Sequence, residues 1–239
     1  MVKKLEDVMQ KESKFTALLY CAPGVGKSTA IGLIAEQSKG RTLVLDVDRT
    51  IVKTLAKKEV VSDLSKIDIE EVDIVETWDN WESIIQGLVE QKKNGTLDYE
   101  NIAVDNISEL ERCILSDLGR KGKNKGVPAM ADYQYMQFRM VNSLRTLKQL
   151  GVNVILTAWE STREFRLQDG SSYSILYPKC AEKIVDNICG LCDVVGKITA
   201  KTDGTRGIVL EATPNIYAKN QIDNRKGCLV EDFIKFNNK

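Results

Sequence analysis

Nine consecutive residues, Cys21 to Thr29, read CAPGVGKST and carry the most specific chemistry in the chain. The spacing is that of the phosphate-binding pattern G-x-x-x-x-G-K-[ST], with Cys21 in place of the first glycine. Gly24 and Gly26 let the backbone curl, so that successive N–H groups turn inward toward phosphate oxygens. Lys27 is placed to reach the β- and γ-phosphates of ATP, and the Ser28 hydroxyl to hold Mg2+. The expected nucleotide-binding segment is Ala22, Pro23, Gly24, Val25, Gly26, Lys27, Ser28 and Thr29. An apolar run, 15–20, precedes the motif and a helix-compatible run, 29–37, follows it. Strand, glycine turn and helix N-terminus form the context a P-loop needs, which weighs against a chance loop. Cys is small enough for the first position if its φ stays negative.

Three further segments bear on hydrolysis. Asp105 ends an apolar strand candidate, 101–105. An acid delivered there would orient a Mg2+-bound water, making Ser28 and Asp105 the metal residues. Its alternative is a helix N-cap, a role open equally to Asn106 or Ser108. Asp48, in TLVLDVDRT, ends the strand after the P-loop helix. RecA-like ATPases place an acid there, usually Glu, to polarise the attacking water; Asp is one methylene shorter, and a solvated strand-end acid is the alternative. Thr157, with Glu160 close behind, ends VNVILTAWE where a γ-phosphate sensor would sit, or else simply caps a strand. The chain has no histidine, which removes His-based nucleophile activation and His metal ligation.

The elements that must position these residues follow from periodicity. Strands are predicted at 42–47, 72–76, 101–105 and 152–158, and helices at 81–91, 107–118 and 132–150. Trp81, Ile84, Ile85, Leu88 and Val89 make one helical stripe; Met136, Met140, Val141, Leu144, Leu147 and Leu150 make another, ended by Gly151. A hairpin at 165–177 turns at Asp169-Gly170, and a helix follows at 180–188. A strand at 193–199 is joined to 206–212 by a turn at Asp203-Gly204. Alternating strands and helices imply right-handed crossovers and a parallel sheet covered on both faces. The predicted fold is an α/β, RecA-like P-loop NTPase with C-terminal antiparallel strands. It forms one domain over 1–239, with its core at about 14–160 and a β-rich extension at about 161–239.

The formal net charge is +0 over 239 residues, so nucleic-acid binding would need a local patch. No run is long enough to span a membrane, and the charged start of the chain lacks a signal peptide's apolar centre. Six cysteines in this composition suggest reduced thiols and a cytoplasmic setting. Cys180, Cys189, Cys192 and Cys228 could in principle hold zinc, but a second C-x-x-C is absent and buried free thiols are the expectation.

The chain resembles the phage RecA-like nucleotide-binding proteins, the AAA-family ATPases of the Sak type. The resemblance runs through APGVGKST (22–29), VLDVD, AVDNISEL (103–110), ADYQYMQF, GVNVILTAWE (151–160) and RGIVLEATPNIYAKNQ. It implies ATP hydrolysis with Mg2+, action on single-stranded DNA in annealing or recombination, and homo-oligomeric rings or filaments in a host cytoplasm. It also implies that Lys219 reaches into a neighbour's active site. The family segment reads A-K-[DT]-R, whereas Ala218-Lys219-Asn220-Gln221 lacks the final Arg; Arg225 is the candidate substitute. Trp159 stands where the family commonly has His.

Residues 119–128 read as a flexible basic loop whose Arg120, Lys121, Lys123 and Lys125 could track a phosphate backbone, with Tyr133, Tyr135 and Phe138 supplying stacking. A solvated loop beside core aromatics is the alternative. Two other functions share the P-loop: a small-molecule or nucleotide kinase with this loop as lid, and a nucleotide-dependent assembly module with little hydrolysis.

Overall fold

The computed structural model describes residues 14–236; the charged segment 1–13, read above against a signal peptide, lies outside them. Ten strands join one sheet in the order β10-β8-β7-β1-β5-β4-β2-β3, with β6 added to β5 and β9 to β7. The strands are β1 (Thr16–Cys21), β2 (Thr42–Asp46), β3 (Ile67–Glu71), β4 (Asn101–Asp105), β5 (Asn153–Arg166), β6 (Ser172–Pro178), β7 (Val194–Ala200), β8 (Arg206–Val209), β9 (Lys219–Asn220) and β10 (Gly227–Leu229). Strands β1, β2, β3, β4 and β5 are parallel, as are β1 and β7. Strands β6, β8, β9 and β10 pair antiparallel, so the predicted fold class stands.

The helices are α1 (Lys27–Gln37), α2 (Val52–Leu55), α3 (Thr77–Asn94), α4 (Ile107–Lys121), α5 (Met130–Gln149) and α6 (Glu182–Leu191). Every residue of β1 is buried, as a central parallel strand requires. Alternate side chains serve opposite faces: Leu18 and Tyr20 join a core with Trp81, Leu110, Met140 and Ile188 from α3 to α6. Ala17, Leu19 and Cys21 join another with Ile31 and Ile34 of α1 and with Phe233. The Met and Leu stripe of α5 is buried at all six predicted positions.

One strand differs from the sequence reading. The strand is 67–71, and 72–76 is a turn. At the sheet edge no residue of β3 is buried, and IDIEE interleaves acids that hide its apolar signal. Val72 still donates to Asp46 O, after which the Asp73 carboxylate accepts from the N–H groups of Val75 and Glu76 and turns the chain into α3. The second difference is at the basic loop: α4 continues through Lys121, so Arg120 and Lys121 lie on its last turn.

Candidate active site

The parallel order places the C-terminal ends of β1, β2, β4 and β5 along one edge, where ligands of open α/β sheets bind. From β1 the chain enters the P-loop with Gly24 at φ 80° and Gly26 at φ 133°. These conformations suit glycine and curl the loop into the head of α1, with Val25 N–H donating back to Ala22 O at 3.3 Å. Cys21 has no positive φ, so its replacement of glycine needs no strain. Its thiol is buried, and desolvation raises its pKa. Helix α1 starts at Lys27, which is almost fully buried at the head of the helix. No side chain caps this terminus, so its first N–H groups and positive dipole remain for an anion.

Around the loop the sheet delivers an interlocked polar cluster. Ser28 Oγ donates to Asp105 Oδ2 at 2.6 Å, and Thr157 Oγ1 donates to Asp105 Oδ1 at 2.6 Å. Asp105 is therefore held at both oxygens, by residues from two separate segments, α1 and β5. The N-cap alternative falls to its neighbour: Asn106 Oδ1 accepts from Glu109 N at 2.9 Å. The same Asn106 donates through Nδ2 to Asp48 Oδ2 at 2.7 Å, so one amide both starts α4 and orients Asp48. Asp46 pairs in register with Asp105 and is buried beside it; one of its oxygens accepts from Arg49 N at 2.8 Å, while Oδ2 has no partner.

The electrostatics follow from this crowding of acids. Burial, then the charge of Asp105, raises the pKa of Asp46. Burial, Asp105 and Glu109 push Asp48 up to about 6, with Lys27 pulling the other way. Each raised value marks negative charge that a cation would relieve. The orphaned Asp46 oxygen and the Ser28–Asp105 pair fit a hard divalent cation with oxygen ligands. Ser28 and Asp105 would hold Mg2+, which when bound neutralises charge on phosphate oxygens.

A cleft of about 390 Å3 opens beside Asp48, bounded by Glu109, Arg112 and Trp159. Arg112 and Lys179 both lie over the Trp159 ring, at 5.7 and 5.4 Å from its centroid. Glu160 forms an ion pair with Lys197 of β7.

Lys27, Ser28, Asp48, Asp105 and Thr157 thus meet at one site. Lys219 does not join them. It lies on β9, and its ammonium donates to Cys192 O at 2.6 Å and Cys189 O at 3.2 Å, capping the C-terminus of α6. That is a favourable place for a cation, and it engages the Lys219 ammonium within its own chain. Arg225 is also engaged in its own chain, bonded to Asp223 and to the carbonyls of Asp232 and Phe233. Of the basic run, Lys121 is surrounded by Glu76, Asp79 and Asp117 at 2.8, 2.8 and 3.1 Å. Arg120 donates to Val75 O. Lys123 and Lys125 remain exposed, as do Tyr133, Tyr135 and Phe138 of α5, with the Tyr135 ring also edge-on to Trp78. The Cys180, Cys189 and Cys192 thiols are desolvated, which holds them protonated.

A parallel sheet, a glycine cradle at the N-terminus of α1 and an acid held to its Ser28 define a P-loop nucleotide-binding protein. Residues 13–222 match the AAA domain family, and the chain belongs to it. A comparison with curated proteins finds no match. Among the described residues, no helix is long and apolar enough to cross a membrane.

Proposed function

We propose that the protein hydrolyses Mg2+-bound ATP and couples hydrolysis to single-stranded DNA. The observation that carries the first half is the Ser28–Asp105–Thr157 chain beside a P-loop whose helix terminus is uncapped. The cradle and Lys27 bind and orient the phosphates. Asp48, fixed by Asn106 at the mouth of the cleft, is poised to orient the attacking water and take its proton; a pKa of about 6 leaves it ionised at neutral pH yet basic enough for the task. Thr157 ties Asp105 to β5, so a change at the phosphates reaches the strand that continues into the β5–β6 hairpin.

The DNA half rests on the resemblance to Sak-type ATPases and on the exposed Lys123, Lys125, Tyr133 and Phe138. Copies of the chain are proposed to assemble as rings or filaments, with turnover per subunit rising with protein concentration. The test is phosphate release from Mg2+·ATP with and without single-stranded DNA over a range of protein concentration. Stimulation by either supports coupling; a rate indifferent to both contradicts it. The cleft beside Asp48 favours one second reading, a kinase that seats a small acceptor hydroxyl where water would otherwise enter. Phosphate transferred to an added acceptor, in place of free phosphate, would favour it.

A further inference from the structure

The β7–β8 hairpin brings a residue to the P-loop that no motif marks. Its turn is set by Gly204 at φ 86° and by the Asp203 carboxylate, which accepts from Thr205 N at 2.8 Å. The register pairs Ala200 with Arg206, the first residue of β8. Gly196 lets the strands close up: a Cβ there would lie 2.5 Å from Ile208 Cγ2 and 3.1 Å from Leu19 Cδ2. The hairpin is thereby seated against β1, and Arg206 is carried over the loop that β1 feeds.

Arg206 Nε donates to Val25 O at 3.1 Å across 181 residues of sequence. The same side chain covers Gly26: a Cβ on Gly26 would meet Arg206 Nε at 2.5 Å and Cδ at 2.8 Å. The carbonyl of Val25 and the N–H of Gly26 belong to one planar peptide. Holding the carbonyl therefore fixes where the N–H points, and in a P-loop that N–H serves phosphate. Arg suits the task because a guanidinium offers five donors in a fixed plane.

We infer that Arg206 is a positioning residue for nucleotide binding, which orients the Val25–Gly26 peptide from the outer side of the phosphate cradle. This rests on the reading of the site as an ATP site. A contact that holds the shape of the cradle serves ground-state and transition-state binding together, so its loss is expected to weaken both. The signature is a raised KM with kcat largely kept.

The experiment compares wild type, Arg206→Ala and Arg206→Lys by titration with a fluorescent ATP analogue and by steady-state phosphate release. Arg206→Ala is expected to raise Kd and KM by about tenfold, the effect of losing one charge-assisted hydrogen bond, with kcat within about twofold. Arg206→Lys, which keeps a cationic donor, is expected to recover most of that loss. Unchanged Kd and KM in Arg206→Ala would overturn the inference. So would a fall in kcat or in active fraction at unchanged KM, the pattern of a purely structural residue. Should Arg206→Ala fold poorly, Arg206→Lys and Arg206→Met carry the comparison, since Met keeps the length of the side chain and has no donor for Val25 O; equal Kd values for wild type and Met overturn it. A wild-type protein that binds no nucleotide would overturn the ATP-site reading itself, whereas wild-type binding retained in full by the variants overturns the role of Arg206 alone.

Discussion

Replacing Asp48 with Asn is expected to make the resting protein more stable while disabling hydrolysis. The Asp48 carboxyl is raised from 3.8 to about 6, first by burial and then by Asp105 and Glu109. A raised acid binds its proton more tightly in the folded state. Between pH 3.8 and about 6 the native protein therefore holds more protons than the unfolded chain, and this group's contribution to stability falls as pH rises through that window. A gap of about two units, at about 1.4 kcal/mol each, gives about 3 kcal/mol; solvent at the partly exposed carboxyl reduces it to about 2 kcal/mol. The amide oxygen of the substituted side chain can still accept from Asn106 Nδ2, so the one hydrogen bond to Asp48 survives the change. Urea unfolding should show Asp48→Asn more stable than wild type by about 2 kcal/mol at pH 8, with the difference shrinking toward pH 4. Phosphate release should fall by about 10²–10⁴, the range for loss of a general base. A variant less stable than wild type at pH 8, or an offset independent of pH, would refute the reasoning.

Ser28→Ala removes the hydroxyl that meets Asp105; nucleotide Kd should rise by about tenfold in Mg2+ and change little in EDTA, as calorimetry would show. Lys219→Ala strips the cap from α6; thermal unfolding should show a loss of about 1–2 kcal/mol, with turnover of the folded protein retained. Lys123→Ala with Lys125→Ala should weaken single-stranded DNA binding and flatten its log–log salt slope by about 1.4, measured by anisotropy. Arg120→Ala with Lys121→Ala should leave that slope alone and lower stability, because both cations are already paired within the chain.

The site was legible where local pattern and chemistry coincide. CAPGVGKST announces itself because only glycine takes the loop's φ values and only Lys-Ser follows in the required order. The runs ending in Asp105 and Thr157 are continuous apolar strands because both faces are buried, and that pattern is readable without structure. The edge strand β3 was not, since no residue in it is buried and its acids mask its two isoleucines. Arg120 and Lys121 read as loop because charge and glycine cluster there, yet Asp117 one turn earlier in α4 and Asp79 on the neighbouring helix α3 hold Lys121 in place at the helix end. The true position of Lys219 depends on the α6 C-terminus, and Arg206 reaches the P-loop only through sheet order. No local spacing encodes either contact. Asp46 could have been suspected: two acids, Asp46 and Asp48, stand together at one strand end, and parallel pairing sets Asp46 beside Asp105.

The central claim is that Lys27, Ser28, Asp48 and Asp105 form a working Mg2+·ATP hydrolysis site. Its most direct test is phosphate release from ATP by wild type and Lys27→Ala, measured side by side in Mg2+ and in EDTA. Release by wild type in Mg2+, abolished by EDTA and lowered at least about a hundredfold by Lys27→Ala, is the expected result. Equal release by the two proteins, or release that persists in EDTA, would contradict it.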